Sequence, residues 1–314
     1  MSLGGILILV EEVLIKRAEN KLKKVDMCIV SKEKEQQALL GARMPGKGMK
    51  KIDKTSKKSN LMEAFMDISG IGAWYAASSS MDLKGTANRY MIWPDLKKDK
   101  NYIYGSTLSI QGYFKEKGSI PHLSSGKSSI KWALNALKKH VLPSKPVVVH
   151  LKNKPGENGL SNADLNTWFK FFKTCSSRKD IVFVLIGNEE VDKRMLDLPN
   201  VLLARDIGSD LTSDLALIQT AYLFMGMASG PCNMAIFSAV PYIIFKNPGH
   251  HEKEMMLELK GKDRFNFASS SQKLLQVSES SKLLMREFDR VGNTANTRAW
   301  QKRIKRYQRM VGVK

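Results

Sequence analysis

The chain has 314 residues, a length that corresponds to about two domains of average size. Apolar residues make up 43% of it, and no stretch of about 20 residues is both uniformly apolar and free of charge, which disfavours disorder of the whole chain and a membrane-spanning helix. Its three cysteines are far apart and form no CxxC pair, so a disulfide scaffold and a cysteine zinc site are disfavoured. With no export signal at the start, this pattern predicts a cytoplasmic protein.

The net charge is strongly positive and unevenly distributed. Lysine and arginine number 51 against 30 aspartate and glutamate residues, a formal charge of +21. Residues 1–60 hold 14 basic and 7 acidic residues and residues 281–314 hold 10 and 2, whereas residues 61–280 hold 27 and 21. Such a field attracts nucleic acid, anionic lipid surfaces or phosphorylated small molecules, and it does not discriminate among them.

The first half of the chain shows few clear elements. Apolar residues at helical spacing predict a helix within residues 6–22, and the apolar run Val25–Val30 predicts a strand. Residues 41–60 are rich in glycine, lysine and serine and are interpreted as a mobile surface loop. A further helix is predicted over Lys127–His140.

The second half alternates strands and helices. The predicted strands are Val147–Leu151, Ile181–Ile186, Val201–Leu203, Tyr222–Met225 and Tyr242–Phe245. The predicted helices are one capped by Ser161 or Asn162 with the apolar stripe Leu165, Trp168, Phe169 and Phe172, one over Asp210–Gln219 and one over Cys232–Ser238. This alternation is typical of parallel βαβ units, so an α/β fold with a doubly wound sheet is predicted for residues 146–280.

The turn at Gly226–Pro231, between a predicted strand and a predicted helix, is the most informative segment. Pro231 suits the first position of a helix, and the free backbone N–H groups and aligned dipoles of a helix start attract anions. Gly226 and Gly230 would let a phosphate approach the backbone, and Ser229 adds a hydroxyl donor. The alternative is a tight strand–helix turn that binds nothing, since the spacing matches neither a Walker loop nor GxGxxG.

Two motifs at this separation, Ser229-Gly230-Pro231 and Ala239-Val240-Pro241, resemble the donor-binding region of the heptosyltransferase-like glycosyltransferases. The resemblance covers residues 146–280 and, loosely, the first 30 residues. It implies the GT-B architecture, in which two Rossmann-like domains with parallel doubly wound sheets face each other across a cleft. A nucleoside diphosphate sugar would bind without a metal, mainly on the C-terminal domain.

The chain departs from the family's pattern at two positions. Ala228 stands where the family usually has an acidic residue, and Leu3-Gly4-Gly5-Ile6 lacks the aspartate that commonly serves as base. A Rossmann-like domain also places a strand before such a glycine turn, so an apolar strand is expected upstream of Met1. The expected division is an acceptor domain over residues 1–143, a donor domain over 144–280 and a basic helical tail over 281–314.

The candidate site residues stand at the predicted turn and strand ends. For the diphosphate the expected residues are Ser229, Gly230, Pro231, Cys232 and Asn233, joined by Gly187, Glu189 and Lys246 around the nucleotide-sugar. His150 and Lys152 follow a predicted strand and would assist the departure of the leaving group. His150 is equally interpretable as a hydrogen-bonded strand-end histidine, and Glu189 with Glu190 as a solvated helix start.

A transferase also needs a base for the acceptor hydroxyl, and the family's aspartate is missing. The candidates in the first half are Glu11, Glu12, Asp67 and Asp82. The sequence around His250 and His251 lacks HExxH spacing, so no metal site is predicted. Cofactors are not expected beyond the donor substrate itself.

The C-terminal segment predicts a basic amphipathic helix, with an apolar stripe at Trp300, Ile304, Tyr307 and Val311. This helix either packs back onto the N-terminal half or lies on an anionic membrane surface at the inner leaflet; nucleic-acid binding has no motif to support it. The leading hypothesis is an inverting, metal-independent glycosyltransferase that acts on a glycan or glycolipid acceptor. The alternatives are an inactive nucleotide-sugar-binding protein of the same fold and a basic nucleic-acid-associated protein.

Overall fold

A computed structural model describes residues 2–30, 50–52, 59–77, 93–94, 102–154, 159–292 and 294–313. The helices are α1 (Leu3–Glu19), α2 (Asn60–Met66), α3 (Leu108–Lys117), α4 (Lys127–His140), α5 (Leu165–Thr174), α6 (Lys193–Leu196), α7 (Leu211–Thr220), α8 (Cys232–Ile236), α9 (Glu252–Leu259), α10 (Ser281–Val291) and α11 (Thr294–Val311). The strands are β1 (Val25–Val30), β2 (Lys50–Lys51), β3 (Ile71–Ala77), β4 (Lys145–His150), β5 (Ile181–Ile186), β6 (Val201–Leu203), β7 (Leu223–Met227), β8 (Tyr242–Phe245) and β9 (Gln272–Leu275).

The larger sheet has six strands in the order β6-β5-β4-β7-β8-β9, and every neighbouring pair is parallel. Chain order therefore runs outward from β4 in one direction and from β7 in the other. This is the doubly wound arrangement of Rossmann-like sheets, with its topological switch point between β4 and β7. The predicted α/β class and the predicted doubly wound sheet are confirmed for this part of the chain.

Alternate residues of the sheet enter two separate cores, as the side-chain period of two in a strand requires. Val148, Val184 and Phe224 face the core that also holds residues of α1, α4, α7 and α8. Val147 and Phe183 face the opposite core, with the aromatic residues of α5 and α10. Helices therefore cover both faces, which explains why these strands are continuous apolar runs rather than alternating ones.

The first half of the chain forms a smaller sheet in the order β1-β3-β2. β1 and β3 are parallel, whereas the two-residue β2 is antiparallel to β3, so the described part of this sheet is mixed rather than purely parallel. The predicted loop over residues 41–60 is wrong at Lys50–Lys51, which pair with Ala76 and Tyr75. Residues 41–49 and 53–58 lie outside the described residues.

Two local predictions are corrected by side-chain hydrogen bonds. The carboxylate of Asp164, rather than Ser161 or Asn162, caps α5, because it accepts from the N–H groups of the next turn. The predicted turn at Gly4-Gly5 is instead the first turn of α1, which begins because the Ser2 hydroxyl accepts from the N–H of Gly5 at 3.2 Å.

The last helix, α11, packs against α4 and against the end of α7, so it contacts residues on both sides of the predicted boundary at residue 143. Trp300 and Tyr307 are buried, and the Trp300 indole N–H donates to the carbonyl of Thr220 at 3.0 Å. Arg303 donates to the carbonyls of Ala221 and Ala239, so it does not belong to the solvated basic face. The apolar stripe of α11 is therefore covered by protein, and contact of its basic face with an anionic membrane stays a prediction.

No helix in the described ranges is long and apolar enough to cross a membrane. The division of the chain at residues 143 and 280 stays a prediction.

The aromatic core of the larger sheet allows a stability test at Trp168, whose side chain is 0% exposed and contacts Phe171, Phe172 and Phe245. Trp168→Ala leaves a cavity there, so we expect it to lower the free energy of unfolding by about 3–5 kcal/mol, measured by urea unfolding. Phe169→Ala is the control, because Phe169 lies on the same helix and is only half-buried. Equal losses in the two variants would contradict this account of the core.

Candidate functional site

A cleft of about 1400 Å³ opens at the carboxyl ends of the larger sheet. One wall consists of the first turn of α1 and of residues 103–108, which precede and begin α3; the other consists of segments that follow β4, β5, β7 and β8. Open α/β sheets bind their ligands at this edge, at the topological switch point. The volume exceeds the range of about 300–1,000 Å³ that is typical of sites for one small molecule.

Three side chains from neighbouring strand ends meet at the switch point. The Ser229 hydroxyl lies 2.9 Å from Nδ1 of His150, and Nε2 of His150 lies 3.3 Å from a carboxylate oxygen of Glu189. His150 is only 3% exposed, although it is one of the residues that line the cleft. Burial opposes ionisation of Glu189, but the interactions with His150 and with backbone N–H groups outweigh it and lower the pKa of this carboxyl.

Two glycines leave the space in which the side chains of Ser229, His150 and Glu189 come together. Gly226 pairs with His150 between β7 and β4, and a Cβ at position 226 would collide with the carbonyl oxygen of His150. Gly187 has a φ of +99°, and a Cβ there would collide with the Glu189 carboxylate. The prediction that Gly226 begins the turn is wrong, because β7 continues to Met227; Gly187 follows β5 and lines the cleft as predicted.

The turn after β7 lies on the cleft, although its helix is shorter than predicted. α8 ends at Ile236 and has five residues, so it supplies one helical turn of aligned dipoles. Cys232 is buried, its thiol donates to the Ser229 carbonyl at 2.8 Å, and burial raises the pKa of the thiol to about 11. The Asn233 amide donates to the carbonyl of Gly230 at 3.4 Å. Pro231 stands at the start of α8 and also lines the cleft.

The first turn of α1 lies directly against this turn. A Cβ on Gly230 would lie 2.9 Å from the Cβ of Leu3 and 3.2 Å from the backbone nitrogen of Gly4. A Cβ on Gly5 would lie 2.8 Å from the hydroxyl oxygen of Tyr104. The Gly4-Gly5 segment, where an aspartate was sought, therefore faces Tyr104, a residue that sequence reasoning did not select.

Cationic side chains form the opposite side of the cleft. Lys246 follows β8 and is 7% exposed, and burial lowers the pKa of its ammonium group. Its Nζ lies 3.4 Å from Nδ1 of His250, where burial and the charge of Lys246 lower the pKa of the imidazole to about 4. His250 is therefore neutral near pH 7. Lys152, after β4, also lines the cleft and donates to the hydroxyl of Ser161 at 2.8 Å.

Lys246 has no carboxylate within ion-pair distance in the part of the chain that the structure describes. Glu258, which faces the same cleft, is held by the backbone N–H and the hydroxyl of Thr107, at 3.1 Å and 2.8 Å. The charges of Glu258 and Glu254 act on this ammonium group from a distance and raise its pKa, but they do not outweigh the effect of burial.

The predicted base candidates of the first half do not reach the cleft. Glu11 is 0% exposed and accepts from the N–H of His122, and Glu12 accepts from the hydroxyls of Tyr102 and Ser109. Neither glutamate lines the cleft, because α1 presents these positions to its packing against residues 102–123.

Of the two aspartate candidates, only Asp67 lies within the described residues, and it does not line the cleft. Asp67 accepts from the N–H of Gly126 at 2.8 Å, and Asp82 lies outside the described residues. Sequence reasoning missed a cleft carboxylate in the other half: Asp214 is buried and accepts from the N–H of Gly187 at 2.9 Å. Burial raises the pKa of Asp214 to about 6. Its signal in the sequence is an acidic residue inside the apolar helix α7.

No group of three metal-ligating side chains stands together among the described residues.

No family model matches the chain, and no curated protein matches it. Two solved structures do. The E. coli heptosyltransferase WaaC with ADP-2-deoxy-2-fluoro heptose is 13% identical, with 57% of this chain and 53% of that chain covered and a TM-score of 0.36. E. coli ADP-heptose lps heptosyltransferase II is 10% identical, with 55% and 53% covered and a TM-score of 0.38. The match spans about half the length of these proteins, so the activity of this chain is argued from its own residues.

The buried glutamate of α1 allows a test by pH. Burial raises the pKa of Glu11 from 4.5 to about 8, although the hydrogen bond from the N–H of His122 acts to lower it. The folded protein therefore keeps a proton that the unfolded chain releases between these pH values, and the free energy of unfolding falls as pH rises, by at most about 1.4 kcal/mol per pH unit from this group. We expect Glu11→Gln to remove this contribution, so that the variant is more stable than wild type at pH 9 but not at pH 4.

Urea unfolding at pH 4, 6, 8 and 9 measures this effect. Glu63→Gln, at an exposed position of α2, is the control and is expected to keep the wild-type slope. An unchanged slope in Glu11→Gln would contradict the assignment of the proton to Glu11.

Proposed function

We propose that the chain binds a nucleoside diphosphate sugar in this cleft and transfers the sugar to a hydroxyl of a glycan or glycolipid. The observation that carries the proposal is the buried ammonium group of Lys246, which stands beside a neutral His250 at the ligand-binding edge of a Rossmann-like sheet. A buried cation without a carboxylate partner is costly unless an anion binds beside it. A diphosphate supplies that anion.

The cleft also fits the two substrates of a transferase. Its volume of about 1400 Å³ leaves room for a donor and for part of an acceptor. Lys152 and Lys246 would neutralise the negative charge that grows on the departing nucleoside diphosphate, which is electrostatic stabilisation of the transition state. Metal independence and inversion at the anomeric carbon remain parts of the proposal that rest on the sequence resemblance alone.

A second candidate function is nucleotide-sugar binding without transfer. It is favoured by one observation: in the described first half of the chain, no carboxylate lines the cleft to act as base for an acceptor. Glu11, Glu12 and Asp67 have other hydrogen-bond partners. Donor-dependent release of nucleoside diphosphate in the presence of acceptor glycans, measured by chromatography, distinguishes the two. Binding with no release would favour the second candidate.

Donor binding is tested by thermal unfolding with nucleoside diphosphates and nucleotide-sugars. A ligand at 100 times its Kd stabilises the folded protein by about 2.7 kcal/mol, so we expect a rise in Tm. Lys246→Met removes a charge-assisted contact worth about 1.5–3 kcal/mol and is expected to weaken binding accordingly. Lys253→Met, at an exposed position of α9, is the matched control. If no such ligand shifts the Tm of the wild-type protein, the proposal fails.

A further inference from the structure

Ser229, His150 and Glu189 follow or end three strands that are adjacent in the sheet, β7, β4 and β5. The hydroxyl of Ser229 stands 2.9 Å from one ring nitrogen of His150, and the carboxylate of Glu189 stands 3.3 Å from the other. Ser229 is half-buried and His150 is buried, and both line the cleft. A hydroxyl that faces a cleft is thus backed by an imidazole, which is backed by a carboxylate.

The carboxylate of Glu189 determines which tautomer of the His150 imidazole is favoured. An ionised carboxylate only accepts hydrogen bonds, so Glu189 favours the tautomer of His150 with the proton on Nε2. Nδ1 then carries a lone pair, and its partner at 2.9 Å is the hydroxyl of Ser229, which donates to it. This is the arrangement in which an imidazole takes the proton of a serine nucleophile.

The first turn of α1 lies against Gly230, the residue that follows Ser229. The first N–H groups of a helix have no acceptor within the helix, and in α1 those of Leu3 and Gly4 precede the one that Ser2 caps. The backbone nitrogen of Gly4 lies 3.2 Å from the point where a Cβ of Gly230, the residue after Ser229, would stand. Donors in this turn would stabilise negative charge on an oxygen of a substrate bound between α1 and the serine.

We propose that Ser229, His150 and Glu189 form a nucleophilic site that hydrolyses carboxylic esters. Ser229 Oγ attacks the ester carbonyl carbon while its proton passes to Nδ1 of His150. The tetrahedral intermediate collapses, the bond to the alcohol oxygen breaks, and the alcohol leaves with the proton from Nδ1. Water then attacks the acyl-serine and gives a proton to Nδ1, which returns to Ser229 as the acid leaves. Ser229 and His150 are the catalytic residues, and Glu189 is a positioning residue.

The charges of the cleft favour an ester whose alcohol part is anionic. Lys152 and Lys246 line the same cleft as Ser229, and the buried Lys246 has no carboxylate partner among the described residues. An acylated sugar phosphate has the required chemistry, with an acyl group for the serine and a phosphate for the cations. This activity is independent of the proposed glycosyl transfer, since it needs no nucleotide donor.

The test uses the full chain and a fluorophosphonate probe, which reacts with activated serine hydroxyls. We expect a single adduct on Ser229, located by peptide mass spectrometry, together with slow hydrolysis of p-nitrophenyl acetate. His150→Gln removes the base and is expected to lower the labelling rate by about 100-fold or more. Glu189→Gln is expected to lower kcat for p-nitrophenyl acetate by about 10-fold or more with little change in KM, because it disturbs the tautomer and not the binding of substrate.

His251→Asn is the matched control, since His251 lines the same cleft but does not contact Ser229, His150 or Glu189. Asparagine also tolerates the φ of 55° at this position. Its labelling rate is expected to equal that of wild type. Wild-type protein that is folded by circular dichroism but unlabelled at Ser229 would overturn the proposal without recourse to any variant. Labelling at an unchanged rate in His150→Gln would also overturn it. The proposed function is tested by the Tm shift with nucleoside diphosphate, which is a separate measurement. Absence of labelling at Ser229 would therefore not contradict nucleotide-sugar binding.

Discussion

The cleft depends on the close pairing of β4 and β7 at their carboxyl ends. The two strands run side by side as far as His150 and Gly226, where a Cβ on the glycine would collide with the histidine's carbonyl oxygen. Because the strand order reverses between these strands, none of the described βαβ connections crosses over their ends, and the cleft opens there. The same pairing places the turn after β7 beside the imidazole. A larger residue at position 226 would separate the serine from the histidine and close the switch point.

The position and burial of individual charged groups matter more in this protein than its net charge. The excess of +21 lies mostly in residues 1–60 and 281–314, and no described lysine or arginine of these two segments lines the cleft. Part of it is structural, since Arg303 donates to the carbonyls of Ala221 and Ala239 in the packing of the last helix. In the cleft, the proposed anion site depends on one charge, that of Lys246, which is buried beside a neutral imidazole. Surface charge of this kind affects association and location rather than chemistry.

Carboxylates with the same chemistry have different roles because their surroundings differ. Glu11 is enclosed by the packing of α1, and its raised pKa keeps it protonated and out of contact with the cleft. Glu189 is also partly buried, but the imidazole of His150 keeps it ionised. Asp214 stands between these cases, with a pKa of about 6. The described carboxylates of the cleft therefore come from the C-terminal half, whereas the sequence analysis looked for a base in the first half.

Local pattern was sufficient to predict most elements of the larger sheet, because apolar periodicity records which face of each segment is buried. The strands Ile181–Ile186, Val201–Leu203 and Tyr242–Phe245 and the helix Lys127–His140 follow from it at their observed bounds. Caps and short strands did not follow, since the Asp164 cap and the pairing of Lys50–Lys51 depend on single hydrogen bonds that leave no periodic signal.

The sequence by itself determined the α/β class, the strand–helix alternation and the segments that carry the candidate site residues. Only the tertiary structure decided which of those residues meet. Ser229 and His150 are 79 residues apart along the chain and 2.9 Å apart in space, because strand order in the sheet is set by packing among distant segments. The same holds for Glu11 and Lys246, whose pKa shifts come from burial by residues far away in sequence. Periodicity describes one element at a time, whereas distance and desolvation belong to the assembled fold.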